Sequence, residues 1–193
     1  MEETVSEATQ NKSLANSRDV SWFVLRDLTR PNAKLPGYLR LRKEGVEVFT
    51  PLKWVTRMSG GRRERLQTPV IHDLLFAHAT RAELDPVIDR TDTLQYRFVR
   101  GGAYRQPMTV ADDDMARFIQ AAGATDAPKF HTPEELTQLS FGKRIRLICD
   151  GPLDGYEGRL LSVRGGRKKR LVVELPGLLA VEYEVSPDFI EFL

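Results

Sequence analysis

The 193-residue sequence is poor in several features that other protein classes require. It holds one cysteine, Cys149, so an intramolecular disulfide framework is excluded and a reducing compartment is expected. Its place on a predicted strand suits a small buried hydrophobe better than a nucleophile. Histidine is scarce, and His72, Asp73, His78 and the run Asp112 to Asp114 match no closed metal-site spacing, so no metal is expected. No apolar run approaches a membrane span, and the polar start MEETVSEATQNKSLANSRD lacks the apolar stretch of a signal peptide. A cytoplasmic location is the expectation, with residues 1–19 as a disordered leader because they lack periodicity. The chain has no glycine-rich phosphate loop, nucleophile elbow or catalytic-cysteine pattern, and neither catalysis nor a cofactor is expected. A charge excess is missing too. With 29 Lys+Arg against 27 Asp+Glu the formal charge is +2, so any nucleic-acid contact must come from local clusters. Two stand out, Arg57 to Arg65 and Arg164 to Arg170.

The chain is 41% hydrophobic, enough to bury a core in one or two domains. From Trp22 the pattern is mixed α and β. Trp22 to Leu25 and Val46 to Thr50 predict strands, rich in aromatic and β-branched residues. Between them Leu35, Tyr38, Leu39 and Arg42 have helical spacing, with Pro36 in the first turn and Gly45 as the terminal cap. Leu52 to Arg57 and Gln67 to Val70 predict the arms of a long hairpin whose flexible basic tip surrounds Ser59-Gly60-Gly61. The apolar run Leu74 to Ala77 follows. Thr80 and Glu83 have capping-box spacing ahead of a helix over 80–92, which Pro86 weakens. Tyr96 to Val99 predicts a strand, and Asp112 to Asp114 open a helix that buries Met115, Phe118, Ile119 and Ala122 and ends at Gly123.

The last fifty residues change character. Lys143 to Cys149 alternates charged and apolar residues, and strand-like runs recur at 159–164, 170–175 and 180–185 with a short closing segment at 189–193. Gly151, Pro152, Gly155 and Gly158 punctuate the first connection. Short strands with such turns predict a small closed barrel. The residues alone leave open whether it is an unrelated SH3-like barrel in which the glycines only make turns.

The hairpin Gly151-Pro152-Leu153-Asp154-Gly155-Tyr156-Glu157-Gly158 resembles the KOW module of the transcription elongation factor NusG, with Gly158 where the second strand starts without a Cβ. The order of elements upstream resembles the NusG N-terminal domain over roughly residues 20–123. The resemblance implies an α+β fold: a NusG-like α/β sandwich domain (20–123), a linker (124–139) and a C-terminal SH3-like KOW β-barrel (140–193). The leader and the segment Val110 to Met115 look most like the specialised, UpxY-like NusG paralogues of Bacteroidetes, which act as antiterminators of particular long operons such as polysaccharide loci.

The resemblance also implies binding, not bond-making. Such N-terminal domains present an apolar depression to the clamp helices of the largest RNA polymerase subunit, by helix-in-groove recognition. The candidate polymerase-binding residues are Phe49, Ile71, Leu74 and Leu75, for which ordinary core is the competing role. The family's aromatic, Pro-Gly, Tyr segment is replaced here by Ile71-His72-Asp73-Leu74. Arg57, Arg62, Arg63 and Arg65 match the family's basic hairpin loop and are candidates for upstream DNA or nascent RNA, with a solvated loop as the alternative. The loop Gly165 to Arg170 is read as a solvated hairpin, with contact to RNA or a protein partner as the alternative. A ribosomal protein or termination factor is the partner class implied for the barrel, and a monomer is expected. Two further readings remain: a general NusG-type elongation factor, and an RNA-binding or ribosome-associated KOW protein.

Overall fold

The structure, a computed structural model, describes residues 19–30, 33–162 and 169–193. The leader and most of the loop at 165–170 lie outside the described residues. The chain divides into two compact units, Met1–Ala111 and Asp112–Leu193.

The first unit holds β1 (Ser21–Asp27), α1 (Gly37–Lys43), β2 (Glu47–Phe49), β3 (Leu52–Ser59), β4 (Arg62–Pro69), β5 (Leu75–Ala79), α2 (Arg81–Asp89), β6 (Leu94–Tyr96) and β7 (Thr109–Val110). Its main sheet runs β2-β5-β1-β6, with β7 also on β1, and every pair is antiparallel. Phe23 and Leu25 of β1, Leu75 and Ala77 of β5, and Leu94 and Tyr96 of β6 share one core with Leu41 of α1 and Leu84 and Val87 of α2. The alternate residues Trp22, Val24 and Phe76 are buried as well. That explains why these two strands read as unbroken apolar runs: burial on both faces removes the alternation of a half-wet strand.

α2 carries the predicted capping box. Thr80 Oγ1 accepts the Glu83 N–H, and Glu83 Oε2 accepts the Thr80 N–H at 2.8 Å. Those bonds from Thr80 hold the Glu83 carboxyl below its usual range. The helix passes through Pro86 and stops at Asp89, short of the expected Asp92. Tyr96 Oη donates to Asp85 at 2.7 Å, so α2 is tied to β6 by a partly buried bond. Burial, then the Asp85 carboxylate, pushes the Tyr96 hydroxyl well above its ordinary pKa. α1 gets its cap from a distance. Pro36 offers no side-chain acceptor, and Asp27 at the end of β1 accepts the buried Gly37 N–H at 2.7 Å. A Cβ on Gly37 would lie 2.6 Å from Leu94 Cδ2 and 2.7 Å from Asp27 Oδ2, so only glycine fits this approach.

The second unit holds α3 (Asp112–Gly123), β8 (Phe130–His131), α4 (Pro133–Leu136), β9 (Phe141–Leu147), β10 (Glu157–Leu161), β11 (Lys169–Leu175), β12 (Leu179–Val185), a 3-10 turn at Pro187–Phe189 and β13 (Ile190–Phe192). One antiparallel sheet takes the order β13-β9-β10-β11-β12-β8. Among the described residues no pairing joins β13 to β8, so the strand path is open where a closed barrel was expected. Two further differences follow from packing. α3, expected to complete the first domain, lies against β11 and β12 and buries Met115, Phe118, Ala121 and Ala122. The span expected as a linker supplies α4 and the edge strand β8.

Glu182 fastens that edge. Although 8% exposed, it meets Lys129 Nζ at 2.7 Å, His131 Nε2 at 2.8 Å and Arg170 Nη1 at 3.2 Å. Burial works to raise its pKa, but the bonds from Lys129 and His131 win and the carboxyl is held below its usual range.

Gly37→Ala is expected to destabilise the first unit by about 1–3 kcal/mol, the usual cost of overpacking, read from the denaturant midpoint. The depressed Glu182 carboxyl should stabilise the second unit fully above its unfolded pKa of about 4.3 and lose that contribution as pH falls through the lower folded value. Urea midpoints between pH 7 and 3 should therefore drop more steeply in the parent than in Glu182→Gln.

Candidate functional site

β3 and β4 form a two-stranded sheet of their own, paired from Leu52↔Pro69 to Ser59↔Arg62. The expected flexible tip is instead strand up to a two-residue turn. Gly60 and Gly61 have φ of +55° and +79°, the left-handed pair that a type I′ turn demands. This turn sets the register, and the register sorts the arginines. Cross-strand partners share a face, so Trp54, Thr56 and Met58 lie with Arg63, Arg65 and Gln67 on one side. Arg57 and Arg62 lie on the other, with Lys53, the half-buried pair Val55 and Leu66, and Glu64 opposite Arg57. The four predicted arginines are thus two pairs facing opposite ways. Arg65 sits over the Trp54 ring at 4.6 Å, an attractive cation–π geometry. Trp54 and Met58 were not singled out from sequence. Counting alternate positions back from Gly60-Gly61 is the signal that finds them.

The predicted polymerase-facing residues separate as well. Leu75 belongs to the core beside α2, and Leu74 is 2% exposed, so neither offers a contact surface. Phe49, its ring 6.3 Å from Phe76, and Ile71 are half-buried. The turn carrying Ile71 is held firmly. Thr50 Oγ1 donates to the Leu74 carbonyl at 3.2 Å, and the Val70 N–H donates to that of Pro51 at 2.8 Å. Asp73 meets Arg97 at 3.2 Å and Arg26 at 3.5 Å, and the Arg97 guanidinium also donates to the Asp73 carbonyl. Asp73 thus has a structural task that answers why an acid stands in the turn.

In the second unit the glycine-punctuated turn joins β9 to β10. Gly151 and Gly155 have φ of +92° and +69°, and the Gly155 N–H donates to the Leu147 carbonyl at 2.9 Å. Leu153 is fully buried, and α3 grips the turn: Arg117 Nε donates to the Pro152 carbonyl at 3.2 Å, and the Leu153 N–H to Gln120 Oε1 at 3.0 Å. A Cβ on Gly158 would come within 3.3 Å of Leu171 Cδ1 and 3.2 Å of the Tyr156 ring, a tight start for β10. Cys149 follows β9 and is half-buried. Burial, then Asp154 and Asp150, pushes its thiol up, which works against thiolate chemistry.

Among the described residues no three His, Cys, Asp or Glu side chains gather as a metal site, and no helix is long and apolar enough to cross a membrane. His78 stacks on Trp22 with ring centroids 4.7 Å apart and meets Glu47 at 2.8 Å.

Residues 20–119, more than half of the chain, match the family described as transcription termination factor nusG. The chain belongs to the NusG family. No curated protein matches it. Membership makes it a factor related to transcription elongation and termination, and NusG-family proteins generally bind RNA polymerase. In this NusG-family chain the matched span covers all of the first unit's sheet, the β3–β4 hairpin and most of α3.

Asp73→Ala should free Arg26 and Arg97 and loosen the turn at 70–74. Amide exchange of Val70 and Leu74 is expected to rise about tenfold or more, with the α2 amides unchanged.

Proposed function

We propose that this NusG-family protein binds core RNA polymerase through its first unit and promotes processive transcription, acting as an antiterminator on a particular long operon such as a polysaccharide locus. The observation that carries the reading is the family match at residues 20–119. The specialised part rests on the likeness of the leader and of Val110 to Met115 to the UpxY-like paralogues. The surface assigned to the polymerase clamp helices is centred on Phe49 and Ile71, with the Asp73 turn holding Ile71 in place. Apolar anchors there supply affinity, and Arg26 and the other charges near the turn supply orientation.

The second unit is assigned as a KOW-type module. Its support is the order of five antiparallel strands from β9 to β13 and the turn at Gly151, Pro152, Gly155 and Gly158. In this reading it recruits a ribosomal protein or a termination factor. No covalent step is assigned to either unit, and the protein is taken to act in the cytoplasm without a cofactor.

Core polymerase is expected to capture the parent chain and to capture Ile71→Asp and Phe49→Ala at least tenfold less, provided circular dichroism shows both folded. Undiminished capture of both would remove the clamp assignment. Deleting the gene should lower transcript levels at the distal end of the long operon that carries it. A genome-wide change with no such polarity would instead favour a general elongation factor.

A further inference from the structure

The connection from β6 to β7 is an exposed loop with charge of one sign. From Thr93 to Ala111 the chain holds Arg97, Arg100 and Arg105 and no Asp or Glu. Arg97 is paired with Asp73 at 3.2 Å, whereas among the described residues no carboxylate is matched to Arg100 or Arg105. Apolar and aromatic side chains stand beside them in water. Phe98 is 45% exposed, Val99 37% and Tyr104 89%.

The loop is tied down from within. The Val99 N–H donates to the Gln106 carbonyl at 3.0 Å, the Gln106 N–H donates to the Ala103 carbonyl at 3.0 Å, and Gln106 Oε1 accepts the Ala103 N–H at 3.2 Å. A Cβ on Gly102 would lie 2.7 Å from Gln106 Oε1, so glycine is what lets that side chain close the turn. Arg105 has a φ of +50°, in the left-handed region that no other described non-glycine residue enters. Glycine would sit there without the clash of a Cβ. A long cationic side chain is kept instead, its guanidinium 5.4 Å from the centroid of the exposed Tyr104 ring, and backbone strain held at a surface tip points to a use outside the loop.

The side chains select the class of partner. Phosphates would engage Arg100 and Arg105 and leave Phe98, Val99 and Tyr104 in water. A protein surface with carboxylates beside an apolar hollow covers all five, and Tyr and Arg are the residues on which binding energy concentrates in such contacts. Position narrows the choice. The Arg97 guanidinium joins the base of the loop to the turn that carries Ile71, donating to the Asp73 carbonyl at 3.2 Å. The loop thus continues the surface assigned above to polymerase, within the span of the family match.

We propose that Phe98, Val99, Arg100, Tyr104 and Arg105 form a second contact with core RNA polymerase, at an acidic protein surface beside an apolar hollow, apart from the site that takes Phe49 and Ile71. The inference rests on the proposed function and adds to it an anchor of a different kind. Ile71 binds by apolar burial, whereas the loop binds through guanidinium–carboxylate pairs around Tyr104 and is sensitive to salt.

The test immobilises the full chain and measures the Kd of core polymerase free of nucleic acid, at low and at physiological salt. Tyr104→Ala should weaken binding about tenfold, and Tyr104→Phe should retain most of it. Both side chains are exposed, so neither variant is expected to disturb the fold. Arg105→Gly separates a contact from a structural role: its denaturant midpoint should equal or exceed that of the parent, because the left-handed backbone is relieved, while polymerase binding falls about fivefold or more. Arg100→Ala combined with Arg105→Gly should leave binding less dependent on salt than in the parent. Parent-like affinity in both Tyr104→Ala and Arg105→Gly overturns the proposal, and if these variants lose affinity only for a short DNA duplex the loop is a nucleic-acid contact instead. Loss of binding in Ile71→Asp with none in the loop variants defeats this inference alone. Failure of the parent chain to bind core polymerase defeats the proposed function, and this inference with it.

Discussion

The first unit depends on β1 being buried on both faces and paired along both edges. Phe23 and Leu25 point to α1 and α2, Trp22 and Val24 are buried opposite, and β5 lies along one edge with β6 and β7 along the other. A strand so enclosed has no register to slip into, because moving one residue would exchange two filled faces. Its end is equally committed. The Asp27 carboxylate caps α1 through Gly37, so the position of that helix follows from where β1 stops. α2 is then held to β6 by Asp85 and Tyr96. The turn at Asp73 is fixed to Arg26 of β1 itself, so the surface assigned to polymerase inherits its geometry from the same strand.

Charge is used in two distinct ways. In the second unit ion pairs close structure: Glu182, with Lys129, His131 and Arg170 around it, fastens β8 to β12, and Glu157 and Glu191 neutralise the wet face of β9. On the hairpin, strand register alone puts Glu64 opposite Arg57 and leaves Arg63 and Arg65 on the face without an acid. A near-neutral chain can therefore carry one strongly cationic face without any global excess of basic residues. The alternation rule that puts Glu64 behind Trp54 is the same one that separates core from solvent in any strand.

The second unit takes more of the chain than a module with a free tether would. α3 lies on β11 and β12 and holds the β9–β10 turn through Arg117 and Gln120, while β8 extends the sheet beyond β12. The turn that most resembles a KOW module is thus braced by a helix lying within the NusG family match. Partner recognition by this unit has to work with a sheet whose β12 edge is already paired.

Much of the fold was legible in sequence because its signals are local. The Thr80–Glu83 box, the Asp run opening α3, the Gly60-Gly61 turn and the alternation of β9 each act within a few residues, where hydrogen bonds and φ preferences decide. The candidate site was legible only in part. Leu74 and Leu75 look like available apolar anchors in an unbroken run, and such a run is also what burial on both faces produces. The arginines of the hairpin read as one cluster because their facing depends on which residues pair across the turn. By itself, then, the sequence determined the elements, the family and the basic character of the hairpin. Tertiary structure alone decided that Gly37 must be glycine, that α3 joins the second unit, and that Arg63 and Arg65 share a face with Trp54. Each of these rests on contacts between residues distant in the chain or across a strand pair, and local periodicity carries the direction of a side chain but not the identity of what meets it.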